Sequence, residues 1–295
     1  MALVWVGVVP AAAASTPKAS GGMSPLVQSV ASSRAEADAA VQKAQRQAAG
    51  SGESVVVDEL TTPTSITTAM PDGSTQLEQS TVPVRVPRGG GWVPVDTTLR
   101  QEGEWYSPAA SVSGVRFSTG GDGILSQTQT ASGEWISEKW THGTLPAPTI
   151  EGDTATYAEV IPGVDLKLTA TASGMASVYV VKTERAARSS ELAALRVSVE
   201  GATLTTPAKG LVKAKAADGS SLVANQPLWW DSSGGGAYDD PGEGMSPAPV
   251  EHDVTARDVT LDIGASVDAQ EQRSGKDVTY PLFIDPDWSP GLTAS

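Results

Sequence analysis

The side chains able to do chemistry are few in this chain and widely spaced. There are two histidines, His142 and His252. His252 stands between Glu251 and Asp253, a setting in which an imidazole could act as a base or bind a metal. His142 lies between Thr141 and Gly143, and for both the plainer reading is a loop histidine. Glycoside hydrolysis needs only two carboxylates, for which the candidates are Glu134, Glu138, Asp165, Asp239, Asp240, Asp285 and Asp287. In Asp285-Pro286-Asp287-Trp288 a proline fixes the backbone between two acids beside an indole, which could hold Ca²⁺ or face a sugar. A strand-terminating turn with Asp side chains on backbone amides is the commoner use of such a segment.

Eight tryptophans stand against two phenylalanines. Indoles stack on sugar faces, so Trp92, Trp105, Trp135, Trp140, Trp229 and Trp230 suggest a carbohydrate platform. In a strand, however, Trp229 and Trp230 point to opposite faces, as do Trp135 and Trp140. Mixed phase favours core and edge packing. Trp135, Trp140 and Trp230 are the ligand-contacting candidates of the alternative, carbohydrate-binding reading. The sequence contains no G-x-S-x-G, H-E-x-x-H or P-loop motif and no full EF-hand spacing. The glycine triplets at 89–91 and 234–236 precede no predicted helix, so they do not read as phosphate cradles. No catalytic residue and no cofactor or metal site is expected.

Those side chains would be positioned mainly by strands. From Val55 onward the hydrophobic period is two, as in Val82, Val84 and Val86 alternating with Pro83, Arg85 and Pro87. Gly89 to Gly91 then reverse the chain into Val93 and Val95, a hairpin whose outward prolines suit an edge. Further strands are predicted at 112–117, 154–160, 164–169, 178–182, 196–199, 210–214, 258–263 and 278–284, separated by turns such as Gly121-Asp122-Gly123 and Asp218-Gly219. One peripheral helix is predicted over 33–49, with Ser33 as N-cap, Glu36 at the capping-box position and Gly50 as stop. A helical turn or two is predicted at 189–195. The fold class expected is all-β, antiparallel β-sandwich with one peripheral N-terminal helix.

Composition sets the outer limits. With 295 residues the chain is long enough for a sizeable core. A formal net charge of −14, from 20 Lys and Arg against 34 Asp and Glu, supplies no basic stripe for nucleic acid. The absence of cysteine excludes disulfides and thiol chemistry. Residues 2–14 form an apolar run too short to span a bilayer, ending in Ala12-x-Ala14 before Ser15, and no other stretch is apolar enough to cross. The run reads as a signal-peptide remnant lacking its basic start, or alternatively as an N-terminal strand or a short buried helix. The expected organisation is 1–14 signal remnant, 15–50 linker and Ala-rich helix, 51–231 β-sandwich region, 232–249 flexible Gly/Pro/Ser loop, and 250–295 C-terminal strands completing or extending the β region.

Several phrases are similar to those of large secreted actinobacterial proteins. They are Gly90-Gly91-Trp92-Val93-Pro94-Val95-Asp96-Thr97-Thr98-Leu99, Gly152 to Tyr157 with Pro162 to Leu166, Val180 to Thr183, Gln226 to Gly234, and Val278 to Pro286. From Gly50 onward they resemble the N-terminal region preceding laminin-G-like jelly-roll domains or RHS/YD repeats. The resemblance rests on Gly, Pro, Trp and Asp positions and brings no catalytic motif. It implies secretion, a location at the cell surface or outside the cell, and a presentation role. The partners it implies are downstream domains of the same or a neighbouring chain, on a reading frame truncated relative to such proteins. Cell-wall glycan is the partner under the alternative reading, and a glycoside hydrolase is the remote third.

Overall fold

The computed structural model describes residues 4–9, 25–208, 210–243, 246–286 and 288–290. The chain divides into two compact units, 1–94 and 95–295, so the division falls inside the span that the sequence presents as one β region. The architecture is mainly antiparallel β, and neither large sheet closes into a barrel among the described residues.

In the first unit a helix over Pro25–Ser51 packs on a four-stranded sheet ordered Val4–Val9, Thr75–Ser80, Ser65–Ala69, Val55–Val56. The helix starts eight residues earlier than the Ser33 cap predicts, because no breaker separates Leu26 from Ala49. Pro25 suits its first position, where the missing N–H costs nothing. Gly50 is itself helical. The stop is Gly52, whose φ of 74° is easy only for glycine and whose N–H reaches the Ala48 carbonyl at 2.9 Å. Among the described side chains the buried face is Ala44 and Ala48 against Val57 and Ala69. Val4–Val9, inside the run read as a leader, pairs antiparallel with Thr75–Ser80; Ala12 and Ala14 lie outside the described residues. The glycine-turned hairpin is present over Arg85–Arg88 and Gly91–Pro94, with Val86 opposite Val93. Its two-residue loop is Gly89-Gly90, both at positive φ (61° and 83°), the geometry that matches strand twist.

The second unit is a β-sandwich. One layer is an eight-stranded sheet ordered 251–254, 258–262, 195–200, 135–140, 124–129, 115–118, 105–110, 96–102. The other begins 149–151, 154–161, 164–170, 175–181 and then forks. Strand Met175–Val181 pairs through Tyr179 with Ile284 and through Met175 with Trp288. Leu282–Asp285 carries the sheet on to Leu228–Asp231, whereas Trp288–Pro290 carries it to Ser221–Asn225 and beyond. Pro286 sits between the branches and has no N–H to offer a ladder, so Asp285-Pro286 interrupts a strand here instead of ending it.

Alternation places Val164, Leu166, Leu168 and Ala170 inside and Asp165, Lys167 and Thr169 outside along one strand. These join Phe117, Tyr157, Tyr179, Leu195, Leu261 and Ile284 in one core, each such side chain adding about 1.5–3 kcal/mol of burial free energy. Of two short helical turns, Leu192–Ala194 falls within the span 189–195 where a helical turn is expected, whereas Glu184–Ala187 lies before it. A helix over Ile263–Ser274 is one the hydrophobic pattern does not reveal. Asp262 caps it by accepting from Ala265 N–H, and Gly275 ends it in the left-handed region. Arg188 ties it down through Asp268 and Glu271.

Candidate functional site

Strand Trp135–Trp140 carries most of the candidate residues, and its alternation divides them. Ile136, Glu138 and Trp140 face the interior, whereas Trp135, Ser137 and Lys139 lie on the outer face. Inside, Ser126 Oγ donates to Glu138 Oε2 at 2.6 Å. Glu138, Leu125, Tyr179 and Leu261 border a free space of about 20 Å³ between the sheets, room for about one water and not for a sugar or cofactor. The nearby Tyr179 phenol is pushed well above its ordinary range by burial, with the Glu138 charge adding to it. Tyr157, likewise raised by burial, donates to the Ser118 carbonyl at 2.6 Å. Neither phenol is poised as a base.

The other carboxylates belong to separate networks. Asp165 and Glu159 both meet Lys182, at 2.7 and 2.6 Å. Burial opposes the Lys182 charge, but hydrogen bonds to Asp165 and Glu159 outweigh it and raise its pKa. Glu159 holds a φ of 54°, an uncommon backbone state for a residue with a Cβ. Its carboxylate, held low by Lys182 and the Gly163 N–H, closes the hairpin below it. Asp240 accepts the Gly242 N–H. Glu134 and Asp239 are exposed, and Asp287 lies outside the described residues.

His142 accepts the Arg196 N–H on Nε2 at 3.0 Å and tilts against Trp140. Burial lowers its pKa. The Nδ1 of His252 lies 2.9 Å from the Val250 carbonyl, and on strand Glu251–Val254 its two acidic neighbours project to the opposite face. Among the described residues no group of three or more His, Asp or Glu is placed to hold a metal ion.

The tryptophans separate in the same way. Trp140 is 3% exposed and Trp229 2% exposed, both in the main core. Trp230, 6% exposed, packs with Val178 and Phe283 on the outer side of the forked sheet. Its Nε1 donates to the Ala237 carbonyl at 2.8 Å, so the Gly/Pro/Ser loop folds back over it. Two of the three ligand-contacting candidates are therefore covered, and Trp135 is the accessible one.

Trp135 is not alone. The Arg116 guanidinium lies over both the Trp135 and the Trp105 rings, 4.4 and 4.5 Å from their centroids. Its Nε donates to Gln127 Oε1 at 2.5 Å, and Gln127 Nε2 donates to Ser137 Oγ at 2.7 Å. Gln127 and Ser137 are both buried. Register explains the ladder: Arg116 is opposite Gln127, and Gln127 is opposite Ser137. The sequence alone could not single out Arg116, because neither the spacing of Trp105 and Trp135 nor any local motif brings them to it.

No family model, curated protein or solved structure matches this chain.

Proposed function

We propose that the chain is a non-catalytic, exported module that supports or presents further protein domains at the cell surface. What carries this reading is the use made of its reactive side chains: they hold the backbone in place. Asp72, Asp96, Asp218, Asp231 and Asp240 each accept the backbone N–H two residues on, the Asx arrangement that fixes turns. His142 likewise receives a backbone amide, and Glu138 receives a core serine hydroxyl. The phrase resemblance to regions ahead of laminin-G-like or RHS/YD segments points the same way.

Export after Ala14 would remove Val4–Val9 and leave Thr75–Ser80 at the sheet edge. That strand reads Thr-Gln-Leu-Glu-Gln-Ser, and its polar and charged side chains suit an unpaired edge. The test is expression in an actinobacterial host with an epitope tag after Ser295. The expected result is labelling on intact cells or in the medium, and a mature chain beginning at Ser15. Tag confined to the cytoplasm would overturn export. Turnover in a polysaccharide panel that disappears on Glu138→Gln would overturn the non-catalytic assignment.

A further inference from the structure

We propose that Arg116, clasped by Trp105 and Trp135, is a binding site for a carboxylate-bearing sugar, such as the uronic acid units of an anionic polysaccharide. The proposal is independent of the presentation role, since it concerns one outer face of the sandwich. An arginine at a sheet surface ordinarily spreads over many rotamers, and ordering it costs side-chain entropy. Arg116 is held by three groups: its guanidinium lies over the Trp105 and the Trp135 rings, and Gln127 accepts from its Nε. Gln127 is itself fixed by Ser137 beneath it. With Nε committed, the two terminal nitrogens have no partner among the described residues, and Arg116 joins no ion pair there.

A rigid guanidinium with paired free donors fits a planar carboxylate, which it can engage through two parallel hydrogen bonds. The flanking indoles, both half-buried, have apolar edges beside the guanidinium that a pyranose ring can contact. A uronic acid unit unites both features, a ring and a carboxylate directly attached to it. Glu104 and Glu134 adjoin the two indoles in sequence. Their charge disfavours dense polyanions such as polyphosphate or an acidic peptide, and is better tolerated when the ligand's charges are spaced by sugar rings.

The experiment is affinity electrophoresis or calorimetry of the full chain with polygalacturonate, alongside neutral amylose and poly-glutamate. Polygalacturonate is expected to bind, with the other two weaker. Arg116→Gln is expected to weaken binding roughly ten-fold or more, the loss of a charge-assisted pair. Trp135→Ala should weaken it by a smaller factor, and Gln127→Leu should do so through the freed guanidinium. If Arg116→Gln melts early, Arg116→Lys decides, because it keeps the charge but lacks the fork, and it should also lose about ten-fold. No binding of polygalacturonate by the parent chain would overturn the site. So would full affinity in the deciding variant, or amylose or poly-glutamate bound as tightly as polygalacturonate.

Discussion

Among the described side chains of residues 1–94 the buried cluster is Ala44, Ala48, Val57 and Ala69, with Ala40, Val41, Val55 and Leu60 packed partly against it. In residues 95–295 the cluster holds Tyr157, Tyr179, Phe117, Leu166, Leu168 and many more fully buried chains. Both units are built from helix and antiparallel sheet, yet among the described side chains they bury very different volumes. Alanine removes little apolar surface from water, so the helix–sheet contact of the first unit depends on close approach more than on area. The second unit gains most from burial between its two sheets. The difference implies two separate unfolding steps, with the alanine-lined unit opening at lower denaturant.

Leu168→Ala would test the stronger side of that contrast. Leu168 is fully buried at the centre of its strand, and the substitution should cost the second unit about 2–5 kcal/mol. The shift is expected in the later step of a urea titration followed by hydrogen exchange. A cost below about 1 kcal/mol would mean that the inter-sheet core is loosely packed. Val57→Ala is the counterpart in the first unit, where Val57 is 1% exposed. Deleting two methyl groups there should cost about 1.6 kcal/mol and move the earlier step alone. Movement of both steps together would break the picture of separate units.

The strands of the second unit were legible wherever alternation is apolar against polar, as in Val164-Asp165-Leu166-Lys167-Leu168. They were not legible where the buried face is itself polar. Strand Ile124–Gln129 buries Ser126, Gln127 and Thr128, so no hydrophobic period marks it. The helix over Ile263–Ser274 was hidden for a related reason. Its buried residues are Ile263, Ser266 and Val267, too few to write a stripe, and its evidence lies in the Asp262 and Gly275 caps. The phase argument over the tryptophans did separate Trp135 from Trp140 and Trp229 from Trp230. The clasp around Arg116 was out of reach, because strand order brings its members together across sequence gaps of 11 and 19 residues. Side-chain pairing across a sheet depends on register, and register is a tertiary property.

The smallest expected effect concerns His142. Its pKa is lowered from 6.5, chiefly by burial and further by the Arg196 charge. The neutral ring accepts the Arg196 N–H on Nε2, so Nδ1 carries the proton, and protonating Nε2 would set two N–H groups against each other. The unfolded chain then binds more protons than the folded one just below pH 6.5, and stability rises with pH through that window. The contribution is present in full above 6.5 and is lost as pH falls toward the lower folded value. Carboxylates such as Glu159 and Asp218, also held low, act further down, below their ordinary 4.5 and 3.8. Between roughly pH 5 and 6.5 the slope should therefore come largely from His142. His142→Gln keeps an acceptor toward Arg196 without a titrating ring, so the melting temperature of the second unit should flatten across that interval. An unchanged slope in the variant would place the pH sensitivity elsewhere, and a slope of opposite sign in the parent would mean that the folded state favours the imidazolium.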